Sequence, residues 1–472
     1  MKEVEIKREP SALLARDIPH DFDAYGEELT EMDVADGKKV PVRACSNDSF
    51  PYKEKDNTNV RTIGRLLQVM IPYGGMLSSG FSMASTSIGA GILGLPAAFH
   101  SVGILMATFY LVLITAETVY SMRLLVQISE KTGLRSFEEM AKHLLHPHAN
   151  IFVAIIRTLH ILGGSVAYVV TIGDLLKPIL SSSASTPPFL LTSVGLKLLT
   201  TGLWLVFMFP LVLPRRINSL RYVSAFGILF ILYLAFVVIT HSAMNGMRAS
   251  PRPTTQLINT GNMAIEGLGV FIFSYMCQIN CLEVALEMRP RSVGRFTACA
   301  AVSMTICGIL YYATGLFGYL DFGEIQGSVL LHYNPLEEPH VFVSYVGVFI
   351  KICASFGLLN NACRSALFPL IGWDPYTVVY WKYLIGASSL AVFVLILGLF
   401  VPNVNMVFGF TGGVCGGFVG FILPALFAMY AGGWSLRSVG VLNYCCTYLI
   451  LCAGVVAIVF GTAATIYGVA TN

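Results

Sequence analysis

Apolar residues fall in long, nearly uninterrupted blocks along most of this chain. Blocks near 76–99, 101–126, 151–176, 193–213, 222–243, 262–286, 295–320, 341–366, 376–401, 404–430 and 441–467 are each long enough to cross a bilayer, which takes about 20 residues of helix. The linkers between them are short. The pattern predicts an all-α polytopic membrane protein with 11 transmembrane helices in one membrane domain, 76–467, and no sizeable soluble domain. Residues 1–75 are different: mixed charge, several prolines and little periodicity. A segment of that composition buries too little apolar surface to order, so a cytosolic disordered tail is expected.

Composition agrees. The 472 residues are 55% hydrophobic and 12% charged, with a mean hydropathy of +0.70, against roughly 25% charged in soluble domains. A net charge of +3 gives no reason to expect nucleic acid. Ten of the 11 cysteines lie in apolar runs, Cys45 being the exception. Cysteine there behaves as a small hydrophobe, and no CxxC pair suggests a metal. The polar first 60 residues hold no apolar h-region, so no signal peptide is expected.

Charge placement sets an orientation. With the tail inside, inner loops and helix ends hold Arg123, Lys131, Arg135, Lys142, Arg215, Arg216, Arg221, Arg289, Arg291, Arg295, Arg364, Lys382 and Arg437, while outer loops hold only Lys177, Arg248 and Arg252. The N-terminus is expected in the cytosol and the C-terminus outside. The outer loop after the seventh span carries Asp321, Glu324, Glu337 and Glu338 with no basic residue. It reads as a solvated loop that can also concentrate cations.

The first span contains "STSIGAGILGLP", residues 85–96, in which Gly89, Gly91, Gly94 and Pro96 all weaken a helix. Irregular backbone at membrane depth is tolerated only when buried in protein or lining a wet cavity. A packing face of small residues explains the glycines but not Ser85, Thr86 and Ser87. If the first five spans repeat as the next five, span one corresponds to span six. There "FIFSYMCQIN" interrupts the apolar run with polar groups. Paired anomalies of this kind mark secondary transporters.

These stretches, with "GYLDFGEIQGSVLLHY" after span seven, resemble the amino acid/auxin permease family, closest to its protozoan amino acid permeases, over roughly 75–467. The resemblance implies the fold of the bacterial leucine transporter: two inverted five-helix repeats, about 76–243 and 262–430, plus an extra helix at about 441–467. It implies amino acid transport by alternating access, driven by a proton or sodium gradient or by neither, with no other cofactor. The free amino acid is then the substrate partner and the lipid bilayer the surroundings. Carried over by position, the unwound segment is Ile88 to Leu93. Ser87, Ile88, Gly89, Ala90, Gly91 and Ile92 would hold the substrate carboxylate, while Phe273, Ser274, Tyr275 and Cys277 form the second break, facing the ammonium, with Phe273 or Tyr275 closing the pocket. Many relatives have Cys-His at this point. Here Gln278 follows Cys277 and cannot titrate, so coupling through that histidine is not available.

Ionisable residues inside a membrane cost at least about 2.5 kcal/mol and are functional by default. Lys351 lies near the middle of span eight. In sodium-coupled relatives of the fold, span eight supplies ligands to an ion lying against span one near Ser85 and Ile88. Lys351 and Ser355 are therefore candidate coupling residues, the ammonium replacing the ion or carrying a proton; the alternative is a permanent ion pair, for which Glu117 of span two is the candidate partner. Asp174 and Glu266 lie near the outer ends of their spans. Asn360 and Asn361 are candidates for interhelical hydrogen bonds. His143, His146 and His148 read as a solvated cluster rather than a metal site.

No triad-like set or phosphate-binding loop suggests an enzyme or an ATP-driven pump. The readings that remain are a secondary or facilitative amino acid transporter and an amino acid sensor with the same fold, acting through its tail. Glu9-Pro10-Ser11-Ala12-Leu13-Leu14 has the form of an acidic dileucine signal for a sorting adaptor. The plasma membrane is the expected location, a lysosome- or vacuole-like compartment the alternative.

Overall fold

The computed structural model of the protein describes residues 30–33, 39–42, 75–183, 185–214, 218–248, 255–259, 262–368, 372–373, 378–463 and 466–467. The dileucine motif, Cys45, Arg215, Arg216 and Arg252 lie outside them, as do the side chains of Arg221 and Glu266. Within the tail, β1 (Thr30–Asp33) pairs antiparallel with β2 (Lys39–Val42), Glu31 opposite Pro41.

From residue 76 the described chain is helical. Helix α1 (Met76–Ser87) and α2 (Gly91–Val102) meet at a 60° bend. They are followed by α3 (Ile104–Thr132), α4 (Ala149–Ser182), α5 (Ser193–Val212), α6 (Asn218–Met244), α7 (Asn262–Ser274), α8 (Cys281–Glu287), α9 (Val293–Phe322), α10 (Pro339–Leu367), α11 (Tyr380–Phe400), α12 (Val404–Tyr430) and α13 (Val441–Gly461). Among the described residues ten helical stretches are long and apolar enough to cross a membrane, α7 and α8 counting as one, and the bent α1–α2 pair taken as one span makes 11. The apolar blocks thus map onto the helices one for one.

Apolar side chains also cover the outside. Leu105, Phe109, Val112, Leu205, Val206, Ile309, Ile385 and Leu449 are all more than half exposed, a surface suited to hydrocarbon rather than water. Buried within, α9 packs on α1, α2 and α3, while α10 packs on α4 and α6. Helix α12 touches both α4 and α7. Its contact with α7 is made by glycines: a side chain on Gly412 would strike the Gly269 carbonyl, and one on Gly269 would strike Gly409. Small residues let helix backbones approach this closely. Gly103 turns the chain from α2 into α3 with φ +83°, and a Cβ there would lie 2.9 Å from the backbone of Ile258 and Asn259.

Candidate functional site

The break in span one follows from its residues. Ser87 ends α1, Ile88 leaves the helical region at φ −74° and ψ 81°, and α2 restarts at Gly91 without a side-chain cap. The Gly89 amide turns back to the Ser87 carbonyl at 2.8 Å, and the Leu93 amide reaches the Ala90 carbonyl at 3.0 Å. The first amides of α2 therefore open on the break, where the helix dipole is positive.

Span six breaks beside it. Helix α7 stops at Ser274, the Cys277 amide bonds the Tyr275 carbonyl at 2.7 Å, and a single 3₁₀ turn, Gln278–Asn280, leads into α8. No proline or glycine interrupts this stretch; tertiary contacts hold it instead. The Tyr311 hydroxyl donates to the Ser274 carbonyl at 2.9 Å, and Thr115 donates to the Tyr275 hydroxyl at 2.8 Å. Lost helical hydrogen bonds are thereby partly replaced.

The two breaks touch. A Cβ on Gly91 would lie 2.6 Å from Ser274 Oγ and 3.0 Å from its Cα. Cys277 Sγ and Ser87 Oγ both lie against Met304 Sδ, at 3.6 and 3.7 Å. Of the residues singled out in these two stretches, Ser87, Ile88, Ala90, Gly91, Ile92, Ser274, Tyr275 and Cys277 are buried, and Gly89 and Phe273 are half-buried. Their side chains diverge. Phe273 stacks on Phe408 of α12, ring centroids 4.6 Å apart, and meets His160 of α4 at 5.3 Å. Tyr275 points the other way, against Tyr311 at 5.2 Å. Phe273 faces α4 and α12.

Other groups join the site that sequence pattern alone does not mark. The Tyr168 hydroxyl of α4 sits 3.5 Å from where a Gly89 side chain would begin, and it faces Ser355 of α10. Phe408 packs against Gly94, as does Asn405, whose Oδ1 is buried with no hydrogen-bond partner among the described residues. His160 Nδ1 and Gln278 Oε1 are buried without a partner in the same sense. Gln278 points its amide nitrogen at Thr118 Oγ1, 3.5 Å away. The available signal was the glycine pairs: Gly163 lies against Thr411, and Gly164 against Leu359 and Phe273.

The coupling candidates do not converge. Ser355 reaches the site through Tyr168. Ser85 is half-buried on the last turn of α1. Lys351 is 3% exposed, with its stem packed on Gly227 of α6, 2.6 Å from where a Cβ would be. No ion pair joins it to Glu117 among the described residues, and Glu117 is half-buried on α3. The suggested Lys351–Glu117 pair is therefore not formed: the two lie on α10 and α3, helices that pack on different neighbours. Asn360 is buried with both amide atoms unpartnered among the described residues, whereas Asn361 accepts from Arg364 at 2.5 Å. His146 and His148 stand side by side, both exposed, on the turn before α4.

The family model for transmembrane amino acid transporter proteins matches residues 73–467. The chain belongs to that family. It is a multi-pass membrane protein of a transporter family and not an enzyme. Vacuolar amino acid transporter 5 of Schizosaccharomyces pombe is 27% identical over 369 residues, which cover 75% of this chain and 84% of the relative. Sodium-coupled neutral amino acid transporter 7 of Xenopus laevis is 23% identical, covering 77% and 84%. Solute carrier family 38 member 8 of Homo sapiens is 25% identical, covering 81% and 90%. In this member of the family, both broken helices fall inside the matched region.

Proposed function

We propose that this protein moves amino acids across a membrane by alternating access around the paired breaks. The observation that carries the reading is the contact of two broken helices, α1–α2 and α7–α8, at Gly91 and Ser274. A carboxylate suits the amides of Ala90, Gly91 and Ile92, which combine free donors with the positive end of α2, while the Gly89 amide is already turned onto Ser87. An ammonium suits the carbonyls of the 273–277 segment. Phe273 and Phe408 form an apolar wall for the substrate side chain, and Tyr168 closes the pocket over Gly89.

The two breaks are related as the first helices of two inverted five-helix repeats, α13 being the extra helix. Transport is secondary or facilitative. Lys351 supplies a fixed internal cation on α10 where sodium-coupled relatives of the fold use an ion, and it sets the ion dependence. The basic loops favour an N-terminus in the cytosol, with the plasma membrane as location; one relative is named vacuolar, which makes a vacuole-like compartment the alternative.

The test is uptake by the purified full chain in proteoliposomes, each amino acid competing in turn, with and without sodium and a pH gradient. Saturable uptake of at least one amino acid, competed by close analogues, is expected. Specific amino acid binding with no flux under any gradient would favour the sensor reading instead.

A further inference from the structure

Helices α4, α5 and α11 enclose a cleft of about 310 Å³ whose walls include none of the residues of the two breaks. Gly173, Asp174, Lys177, Lys197, Thr200 and Phe400 are among its walls. Asp174 is 1% exposed. One of its carboxylate oxygens lies 3.6 Å from Lys177 Nζ, and the other is buried with no hydrogen-bond partner among the described residues. A buried, unpartnered carboxylate oxygen in a cavity wall is costly unless a donor arrives from outside the chain. Lys177 is 46% exposed, and the Lys197 ammonium rests 4.6 Å over the Phe400 ring. The cleft thus offers one acceptor deep inside and two cations near its mouth.

A second cleft of about 330 Å³ adjoins it, sharing Lys177 and Leu196. Pro178, Leu180, Leu190, Leu191 and Leu331 make its wall largely apolar. The rim is apolar too: Val194, Leu198, Leu191 and Phe400 are 61%, 58%, 56% and 74% exposed. On a multi-pass membrane protein such a rim faces lipid, not water.

We infer that this double cleft binds a phospholipid with a primary-ammonium head group, of the phosphatidylethanolamine type. The ammonium donates to the unpartnered Asp174 oxygen, which a turn of the carboxylate brings to the cleft, the phosphate lies between Lys177 and Lys197, and one acyl chain enters the leucine-lined cleft. A free amino acid or soluble phosphate satisfies the charges but leaves the apolar cleft and rim unused. A phosphatidylcholine head has no N–H to give Asp174, and a phosphatidylglycerol head has no cation at all.

The full chain is purified, stripped of lipid in detergent, and titrated with phosphatidylethanolamine, phosphatidylcholine, phosphatidylglycerol or free phosphoethanolamine, reading retained adducts by native mass spectrometry and the shift in melting temperature. Phosphatidylethanolamine is expected to bind roughly tenfold or more tightly than the other three, the difference made by a charge-assisted hydrogen bond. Asp174→Asn removes the preference over phosphatidylcholine, and Lys197→Gln weakens all phospholipids. Lys197 sits near the surface, so its variant reports on the site even if the Asp174 variant does not fold. Equal binding of ethanolamine and choline lipids, an unchanged preference in Asp174→Asn, or free phosphoethanolamine binding as tightly as the lipid each overturns the assignment. None of these readouts requires transport.

Discussion

Gly91 and Ser274 meet where two interrupted helices cross, with Ser274 Oγ 2.6 Å and Ser274 Cα 3.0 Å from the place a Gly91 side chain would start. The serine hydroxyl is already bonded to the Val270 carbonyl at 2.8 Å, and its own carbonyl is held by Tyr311. Neither side has room to yield without moving a helix.

Gly91→Val is therefore expected to abolish uptake while the protein still reaches the membrane, and Gly91→Ala to reduce it by about tenfold. Overpacking a tight core costs about 1–3 kcal/mol, enough to displace the break without unfolding the domain. Radiolabelled uptake with surface-expression controls measures both. Wild-type uptake in Gly91→Val would remove the paired breaks from the mechanism.

Tyr168→Phe keeps the ring and deletes the hydroxyl that faces both Ser355 and the Gly89 turn. Substrate affinity should fall roughly fivefold to tenfold, the worth of one buried hydrogen bond. Ser355→Ala should have a similar effect, and the double variant should be little worse than either alone, because both remove one interaction. Additive losses in a competition-binding assay would mean that the two hydroxyls act separately.

Phe273→Ala and Phe408→Ala address the apolar wall. Their rings stack at 4.6 Å, so truncating either leaves a void beside the break. Large apolar substrates should lose more than small ones in Phe273→Ala, shifting the order of competitors rather than lowering all uptake evenly. A uniform loss across substrates in the competition profile would instead point to general loosening of α7.

The helices were legible in the apolar blocks because a membrane span needs little more than length and hydropathy. The first break was legible because Gly89 and Gly91 write it into the local sequence, whereas Pro96, which the pattern also marked, lies past the break inside α2. The second was harder. "FIFSYMCQIN" has neither glycine nor proline, and the structure carries α7 through Ser274 before Tyr311 and Thr115 hold the broken end. Those partners lie on other helices, so no local pattern announces them. The same holds for Tyr168 and His160, ordinary residues in an apolar run until α7 and α10 pack against them. Lys351 stood out in sequence, but its neighbour did not: Gly227 of α6, not Glu117, makes space for its stem.

A clasp at the acidic face offers a test of how the domain is held closed there. His241 of α6 has Nδ1 2.6 Å from Asp321 Oδ2 at the end of α9, and Nε2 3.2 Å from Glu338 Oε1 just before α10. Tyr333 donates to the same Asp321 oxygen at 3.2 Å. One imidazole thus ties three helix ends together, with Asp321 almost wholly buried beneath it. An imidazole flanked by two carboxylates holds both only as the donor at each nitrogen, which is the protonated ring. His241→Ala leaves Asp321 buried with Tyr333 as its remaining side-chain donor among the described residues, a loss of about 3 kcal/mol on the scale of broken buried pairs. His241→Ala and Asp321→Asn should each lower the melting temperature by several degrees, while the double variant falls less than their sum. Glu338→Gln, at the more exposed end, should cost less than either. Purified variants compared by thermal shift in one detergent decide it, and strict additivity of His241→Ala with Asp321→Asn would show that the two residues do not act as a pair.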